Sequence, residues 1–324
     1  MKARARRTVR GAALACGLAV WALALSACPG PAAGAPTGET REIPPFDAAR
    51  AWKDVEAQVA LGPRVSGSEA AEKTRAYFEA QLTAAGLRPV REAFTEETPA
   101  GEIAFCNVYA DLAATTAAPE TAPIVILLSH YDTKRFSFTF VGANDAASSS
   151  GALLELARAL STAKTRLVTY RFLFVDGEEA VRAVWEDPDN RYGSRHHVAQ
   201  LVKTGLRPRV KAAVLLDMIG DKDLRIARDE YSTPWLYEAF AAAARSQGLG
   251  AKVDGRRERI ADDHVSFLEV GIQAVDLIDF DYGPNNSYWH TQADTLDKCS
   301  SDSLAAAGKI VLAGLPAVEA RLTR

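Results

Sequence analysis

No basic stripe runs through this sequence. It holds 38 lysines and arginines against 41 acidic residues, and five of the basic ones (Lys2, Arg4, Arg6, Arg7 and Arg10) fall in the first 27 residues, which contain no acid. Beyond that leader 33 basic residues face 41 acidic ones, a net charge near -8. That balance argues against a nucleic-acid partner. Cysteine is scarce: of four, Cys16 and Cys28 belong to the N-terminal apolar stretch, and only Cys106 and Cys299 remain in the body of the chain. An oxidising compartment permits a bridge between those two, and a pair of free buried thiols fits the sequence as well. There is no internal repeat, and no linker divides the chain after Pro45. What is present, 48% hydrophobic and 24% charged residues, suits a soluble globular protein with a sizeable core.

The N-terminus reads as an export signal. Basic residues in Met1–Arg10 precede an apolar run from Gly11 to Ala27 that ends in Leu25-Ser26-Ala27-Cys28. The pattern resembles a bacterial lipoprotein signal, which implies that residues 1–27 are removed and that Cys28 carries lipid. The alternative is a plain secretory signal or an uncleaved anchor, although the run is slightly short for a spanning helix. Lipid on Cys28 would attach the protein to a membrane without crossing it. The expected address is a bacterial cell envelope, periplasmic or surface-exposed. Residues 28–45, rich in Pro, Gly and Ala without apolar periodicity, read as a flexible tether, and residues 46–324 as one catalytic domain.

Within that domain helical and strand patterns alternate. Helices are predicted over Phe46–Leu61, from the Ser66-Gly-Ser-Glu69 capping-box spacing to Gly86, and over Ala146–Ala163, Ser194–Thr204, Thr233–Gln247 and Ser303–Leu322. Strands are predicted over Glu102–Leu112, Ile124–Ser129, Arg166–Val175, Ala212–Asp217, Asp223–Ala227 and Gln273–Ile278. This alternation means an α/β protein, an α/β/α sandwich around a twisted, mostly parallel mixed sheet.

The chemistry-bearing residues cluster at predicted strand ends, where open α/β sheets bind ligands. His130, Asp145, Glu179, Asp217 and His290 are five candidate ligands of the nitrogen and oxygen type that zinc takes. A single histidine at a strand end is ordinarily a satisfied polar group; five such residues fed by apolar strands point to a site. In Asp176-Gly-Glu-Glu179 one glutamate can bind metal while the other stays free to move protons. The competing reading is a helix N-terminus that favours acids.

His130-Tyr-Asp132, Gly142-Ala-Asn-Asp145, Asp176-Gly-Glu-Glu179, Asp217, His290-Thr291 and Ala293-Asp294-Thr295 together resemble the M28 zinc aminopeptidase superfamily, from Leu61 to the C-terminus. Within it several stretches are similar to animal-type glutaminyl cyclases: Leu61-Gly-Pro-Arg64, Thr98-Pro-Ala-Gly101 with Phe105-Cys-Asn107, Tyr131-Asp-Thr-Lys134, Tyr192-Gly-Ser-Arg-His196, Asp262-Asp-His264 and Trp289-His290. The resemblance implies a zinc exopeptidase-like fold, with one Zn2+ held by Asp145, Glu179 and His290. It implies Glu178 as the proton shuttle, Asp217 and Asp262 as a carboxylate network beside it, and Trp289 and Trp185 as walls of the substrate pocket. The expected substrate is a peptide or protein N-terminal glutamine, cyclised to pyroglutamate by a monomeric enzyme. In the aminopeptidase branch His130 and Asp217 would hold a second zinc bridged by Asp145. Four features depart from the cyclase pattern. Ser129 and Ser150 stand where a cysteine pair is expected, Asp276 where an imidazole is, Trp185 follows the glutamate pair one residue late, and Asn144-Asp145 is more peptidase-like.

Overall fold

A computed structural model describes residues 43–253 and 255–323; the leader, Cys28 and most of the tether lie outside the described residues. The first helix, α1 (Ala48–Ala60), is capped by Asp47, whose carboxylate accepts the Arg50 amide at 3.0 Å. The cap of α2 (Glu69–Ala84) is Ser68, not Ser66 as the capping-box spacing suggests. Ser66 is drawn elsewhere: its hydroxyl donates to the buried Asp176 at 2.7 Å.

A hairpin follows, β1 (Pro89–Thr98) and β2 (Gly101–Leu112), then β3 (Ile124–His130), α3 (Ser149–Ser161), β4 (Thr169–Val175), α4 (Tyr192–Lys203) and β5 (Val210–Asp217). Two-residue strands β6 (Arg228–Asp229) and β7 (Arg257–Glu258) pair in parallel, separated in sequence by α5 (Pro234–Ser246). The chain closes with α6 (Asp263–Glu269), β8 (Gln273–Ile278) and α7 (Ser301–Leu322). The main sheet runs β1-β2-β4-β3-β5-β8. Its β1/β2 and β2/β4 pairs are antiparallel, and β3/β4, β3/β5 and β5/β8 are parallel.

Every residue of β3 and β4 is buried, as expected of central strands covered on both faces. Alternate side chains divide between two cores. Val125 and Leu127 pack with α1, α2, α3, α5 and α7, whereas Ile124, Ile126 and Leu128 pack with Val198 of α4 and Phe267 of α6. The fold is the expected α/β/α arrangement. Although α7 is long and apolar enough to cross a bilayer, it belongs to the first of these cores.

Some elements differ from the sequence expectation, the two-residue β6 and β7 among them. Asp223–Ala227 is not a strand: Leu224 and Ile226 alternate inward, but the Ile226 and Ala227 amides donate to Lys252 and Ile278 carbonyls outside any ladder. β1 and α6 carry weak patterns, the first because most of its side chains are solvated and the second because it spans only seven residues. Cys106 and Cys299 are free thiols, both buried.

Candidate metal centre and active site

The parallel strands deliver their polar residues to one edge. β3 ends on His130, β4 leads into Asp176-Gly-Glu-Glu179, and β5 ends on Asp217. Asp145 arrives from a π-helical turn, Ala143–Ser148, that precedes α3. Gly142 opens that turn at φ +52°, and a Cβ there would meet the Asp145 carbonyl oxygen at 2.0 Å, so only glycine fits. The buried Arg64 secures the approach by donating to the carbonyls of Tyr131 (3.0 Å), Val141 (2.7 Å) and Gly142 (2.9 Å).

No helix starts at the glutamate pair; the next begins at Tyr192. Instead the Asp132 carboxylate accepts the Glu178 amide at 3.1 Å and the Glu179 amide at 3.2 Å. The preceding Asp176 points away, accepting from Ser66, Arg75 and the Cys106 amide. Burial, with the charge of Asp132 second, pushes its carboxyl up to about 6.

Among the described residues two groups have the geometry to hold a metal ion: Asp145, Glu179 and His290, and His130, Asp145 and Asp217, each with ligand atoms within 4.8 Å of one another. In the first, His290 Nε2 lies 3.0 Å from Glu179 Oε1 and 3.3 Å from Asp145 Oδ2. A tetrahedral ion with bonds of about 2.0–2.1 Å spaces its ligands by about 3.3 Å, so this triangle fits zinc, and its one nitrogen and two oxygens suit it. In the second, His130 Nε2 lies 3.2 Å from Asp145 Oδ1 and 3.3 Å from Asp217 Oδ1. Asp145 is common to both.

The His290 ring is fixed by aromatics, stacked on Trp289 at 4.0 Å between centroids and met edge-on by Phe136 and Phe140. Burial lowers its basicity, but Glu179 and Asp145 outweigh that and bring it up to about 9. Burial likewise opposes the charge on Asp145, yet His130 and His290 hold that carboxyl well below the usual range. Glu178 is left out of both triangles. Burial pushes its carboxyl well up; the charge of His130 pulls it back, and Asp262 and Glu179 add to the rise.

A cleft of about 570 Å³ opens over the first triangle, lined among others by Glu178, Asp217, Asp262, Trp289 and Trp185. The structure therefore brings the predicted metal, catalytic and pocket residues to one place, Cys28 lying outside the described residues: His130 abuts Asp145 and Asp217, and the others line the cleft. Trp289 packs against Phe280 at 4.9 Å, while Trp185 stays 37% exposed on the rim. Burial raises both network carboxyls, Asp217 above its ordinary value and Asp262 to about 6.

The departures from the cyclase pattern resolve into local contacts. Ser129 donates to Ser149 Oγ at 3.0 Å and Ser150 to Gln58 at 2.6 Å. Asp276 lies buried in β8 beside His264 of α6, whose Nδ1 is 3.8 Å from it and whose Nε2 is 3.0 Å from Asp229.

Three supporting residues carry no role in the sequence reading. Asp132 orients the glutamate loop and faces His130 Nδ1 at 3.4 Å. Lys134, buried, donates to the Ala180 carbonyl at 2.9 Å and reaches Glu179 Oε2 at 3.4 Å. Asp294 accepts the Asn144 and Asp145 amides at 2.8 and 3.1 Å. All three stand in stretches that carry the family resemblance, and for Asp132 the spacing His130-x-Asp132 also puts two side chains on one side of an extended chain. Asp132→Asn leaves one amide facing a donor and removes the carboxylate from His130. It is expected to weaken metal affinity about 10–100-fold, measured by competition with a chromogenic chelator; an unchanged affinity would deny Asp132 this part.

Residues 107–315 match peptidase family M28. A glutaminyl-peptide cyclotransferase-like protein from Bos taurus is 33% identical over 272 residues, taking in 72% of this chain and 66% of its own length, just under two thirds. Among solved structures, an Acidobacteriales bacterium glutaminyl cyclase is 34% identical with a TM-score of 0.82, covering 90% of this chain and 100% of its own. A Bacteroides thetaiotaomicron leucine aminopeptidase precursor is 26% identical with a TM-score of 0.75, covering 84% of this chain and 98% of its own.

Proposed function

The chain belongs to peptidase family M28, and on that footing we propose that it is a zinc-dependent glutaminyl-peptide cyclotransferase, closing an N-terminal glutamine into pyroglutamate with release of ammonia. The observation that carries this reading is the placement of Glu178. It is a buried carboxylate outside both ligand triangles, in a cleft whose walls include Trp289 and Phe280. The similarity to the glutaminyl cyclases supports it.

Asp145, Glu179 and His290 would hold the zinc, which when bound supplies a Lewis acid for the glutamine γ-carbonyl. The rest falls to the chain's own side chains. The substrate α-ammonium first loses one proton to solvent; the free amine then attacks the side-chain carbonyl carbon, Cδ, while Glu178 takes a proton from the attacking nitrogen. As the carbon–nitrogen bond of the amide breaks, Glu178 returns that proton to the leaving nitrogen, which departs as ammonia. Asp217 and Asp262, close on the same cleft, keep the proton on the Glu178 side by their own negative charge. Trp289 and Phe280 exclude water, which would otherwise compete with the amine, and hold the glutamine folded on itself.

A second reading, a two-zinc aminopeptidase, is favoured by one observation: the His130, Asp145 and Asp217 set supplies ligands for another ion. Metal reconstitution separates the two. A stripped chain that regains ammonia release from a glutaminyl peptide with one equivalent of zinc supports the cyclotransferase. One that needs two equivalents and liberates free leucine from a leucyl peptide refutes it. We place the enzyme on the bacterial envelope through lipid on Cys28, acting as a monomer on peptide N-termini; loss of membrane fractionation in Cys28→Ala is the expected result, and unchanged fractionation would contradict it.

A further inference from the structure

The cleft is acidic at its floor and basic on one side of its rim. Asp145, Glu178, Glu179, Asp217 and Asp262 lie inside, whereas Glu258 and Arg259 come from the segment just before α6. The two rim charges are not equivalent. Glu258 is committed to Arg256, whose Nε is 2.8 Å from Glu258 Oε1. Arg259 is exposed, and among the described residues no carboxylate pairs with it; its guanidinium lies 4.8 Å over the ring of Tyr231.

That stack is built rather than incidental. β6 and β7 pair in register, Arg228 with Arg257 and Asp229 with Glu258, which sets the two segments side by side. The buried Asp229 then clamps both just beyond the pair: its Oδ1 accepts the Tyr231 amide at 3.2 Å and the Ile260 amide at 3.1 Å. Tyr231 and Arg259 thus project from backbones fixed by one carboxylate. A planar guanidinium held on an aromatic face keeps its donors aimed outward and loses little freedom when it meets an anion.

We propose that Arg259, shelved on Tyr231, recognises an acidic side chain in one of the two residues that follow the substrate's N-terminal glutamine. The inference rests on the cyclotransferase reading. The α-ammonium is drawn to the carboxylates at the cleft floor, so the remainder of the peptide leaves across the rim. There it meets an arginine already oriented and a glutamate already neutralised. An acidic residue at that point gains a charge-assisted contact, while a lysine meets an unpaired positive charge.

Four C-terminally amidated peptides test this: Gln-Ala-Ala, Gln-Glu-Ala, Gln-Ala-Glu and Gln-Lys-Ala, each followed by ammonia release. At least one glutamate peptide is expected to exceed the alanine peptide in kcat/KM by about two- to fivefold, the size an exposed ion pair supplies. The gain should sit in KM and shrink at high salt. Arg259→Ala should bring that ratio to one, Arg259→Glu should turn the preference toward lysine, and Tyr231→Ala should reduce it. A wild-type preference for the lysine peptide, or an acidic-to-neutral ratio unmoved by Arg259→Ala, overturns the inference and leaves the cyclotransferase standing. Failure of all four peptides to lose ammonia overturns both.

Discussion

Glu178→Gln is expected to leave the metal affinity intact and to cut turnover by about a hundred- to ten-thousandfold, the usual contribution of a positioned acid–base group. Glutamine has nearly the shape of glutamate, and the Glu178 amide stays anchored on Asp132 at 3.1 Å, so the loop has no reason to move. What disappears is the proton acceptor. In the wild-type protein burial raises the Glu178 carboxyl well above its ordinary value, against the pull of His130. A carboxyl shifted toward neutrality both takes and returns a proton readily, and a carboxamide does neither. Ammonia release and zinc content, measured on the same preparation, check the prediction. Wild-type turnover in Glu178→Gln would remove this residue from proton transfer, whatever its position.

The second large effect is metal loss. His290→Ala takes away the only nitrogen of the Asp145, Glu179 and His290 triangle and leaves two carboxylates facing one another in a buried place. If roughly 10–16 kcal/mol of zinc binding is shared over four ligands, one ligand accounts for about 3 kcal/mol, or a hundredfold in affinity. The variant is therefore expected to lose its zinc on dialysis that the wild type survives, and its activity with it. Thermal unfolding gives an independent readout. A chelator should lower the Tm of the zinc-loaded wild type, since an ion at a thousand times its Kd stabilises by about 4 kcal/mol. The Tm of His290→Ala should be indifferent to chelator. An equal response in both proteins would move the metal away from His290.

Much of this architecture is legible in the sequence, for definite reasons. Ile124–Ser129 reads as a central strand because its apolar run is continuous, and Arg166–Val175 reads as a strand although Arg171 interrupts it; the fold buries every residue of β3 and β4. Asp217 and His130 announce themselves because each follows such a run directly. β1 is nearly invisible since its side chains face water on both sides of an edge strand. Asp223–Ala227 misleads because Leu224 and Ile226 alternate as in a strand while the Ile226 and Ala227 amides bond to Lys252 and to the end of β8 without forming a ladder. Ser66 misleads because a long-range partner, Asp176, claims a hydroxyl that local spacing assigns to a cap.

The supporting residues of the centre are hidden for a related reason. Asp132 and Asp294 act on backbone amides of loops distant in sequence, 46 residues away for Asp132 and Glu178, 150 for Asp294 and Asn144. An amide has no residue identity, so no pairing of side-chain types betrays the contact. The nearness of Asp276 in β8 to His264 in the seven-residue α6 is hidden as well, since the two come from different elements.

The most direct measurement is the mass of one peptide, Gln-Leu-Ala amide, after incubation with the zinc-loaded protein. The account predicts a single product lighter by one ammonia, with the chain length unchanged. A product lighter by a whole glutamine residue, with free glutamine beside it, would contradict the account and make the centre that of an aminopeptidase.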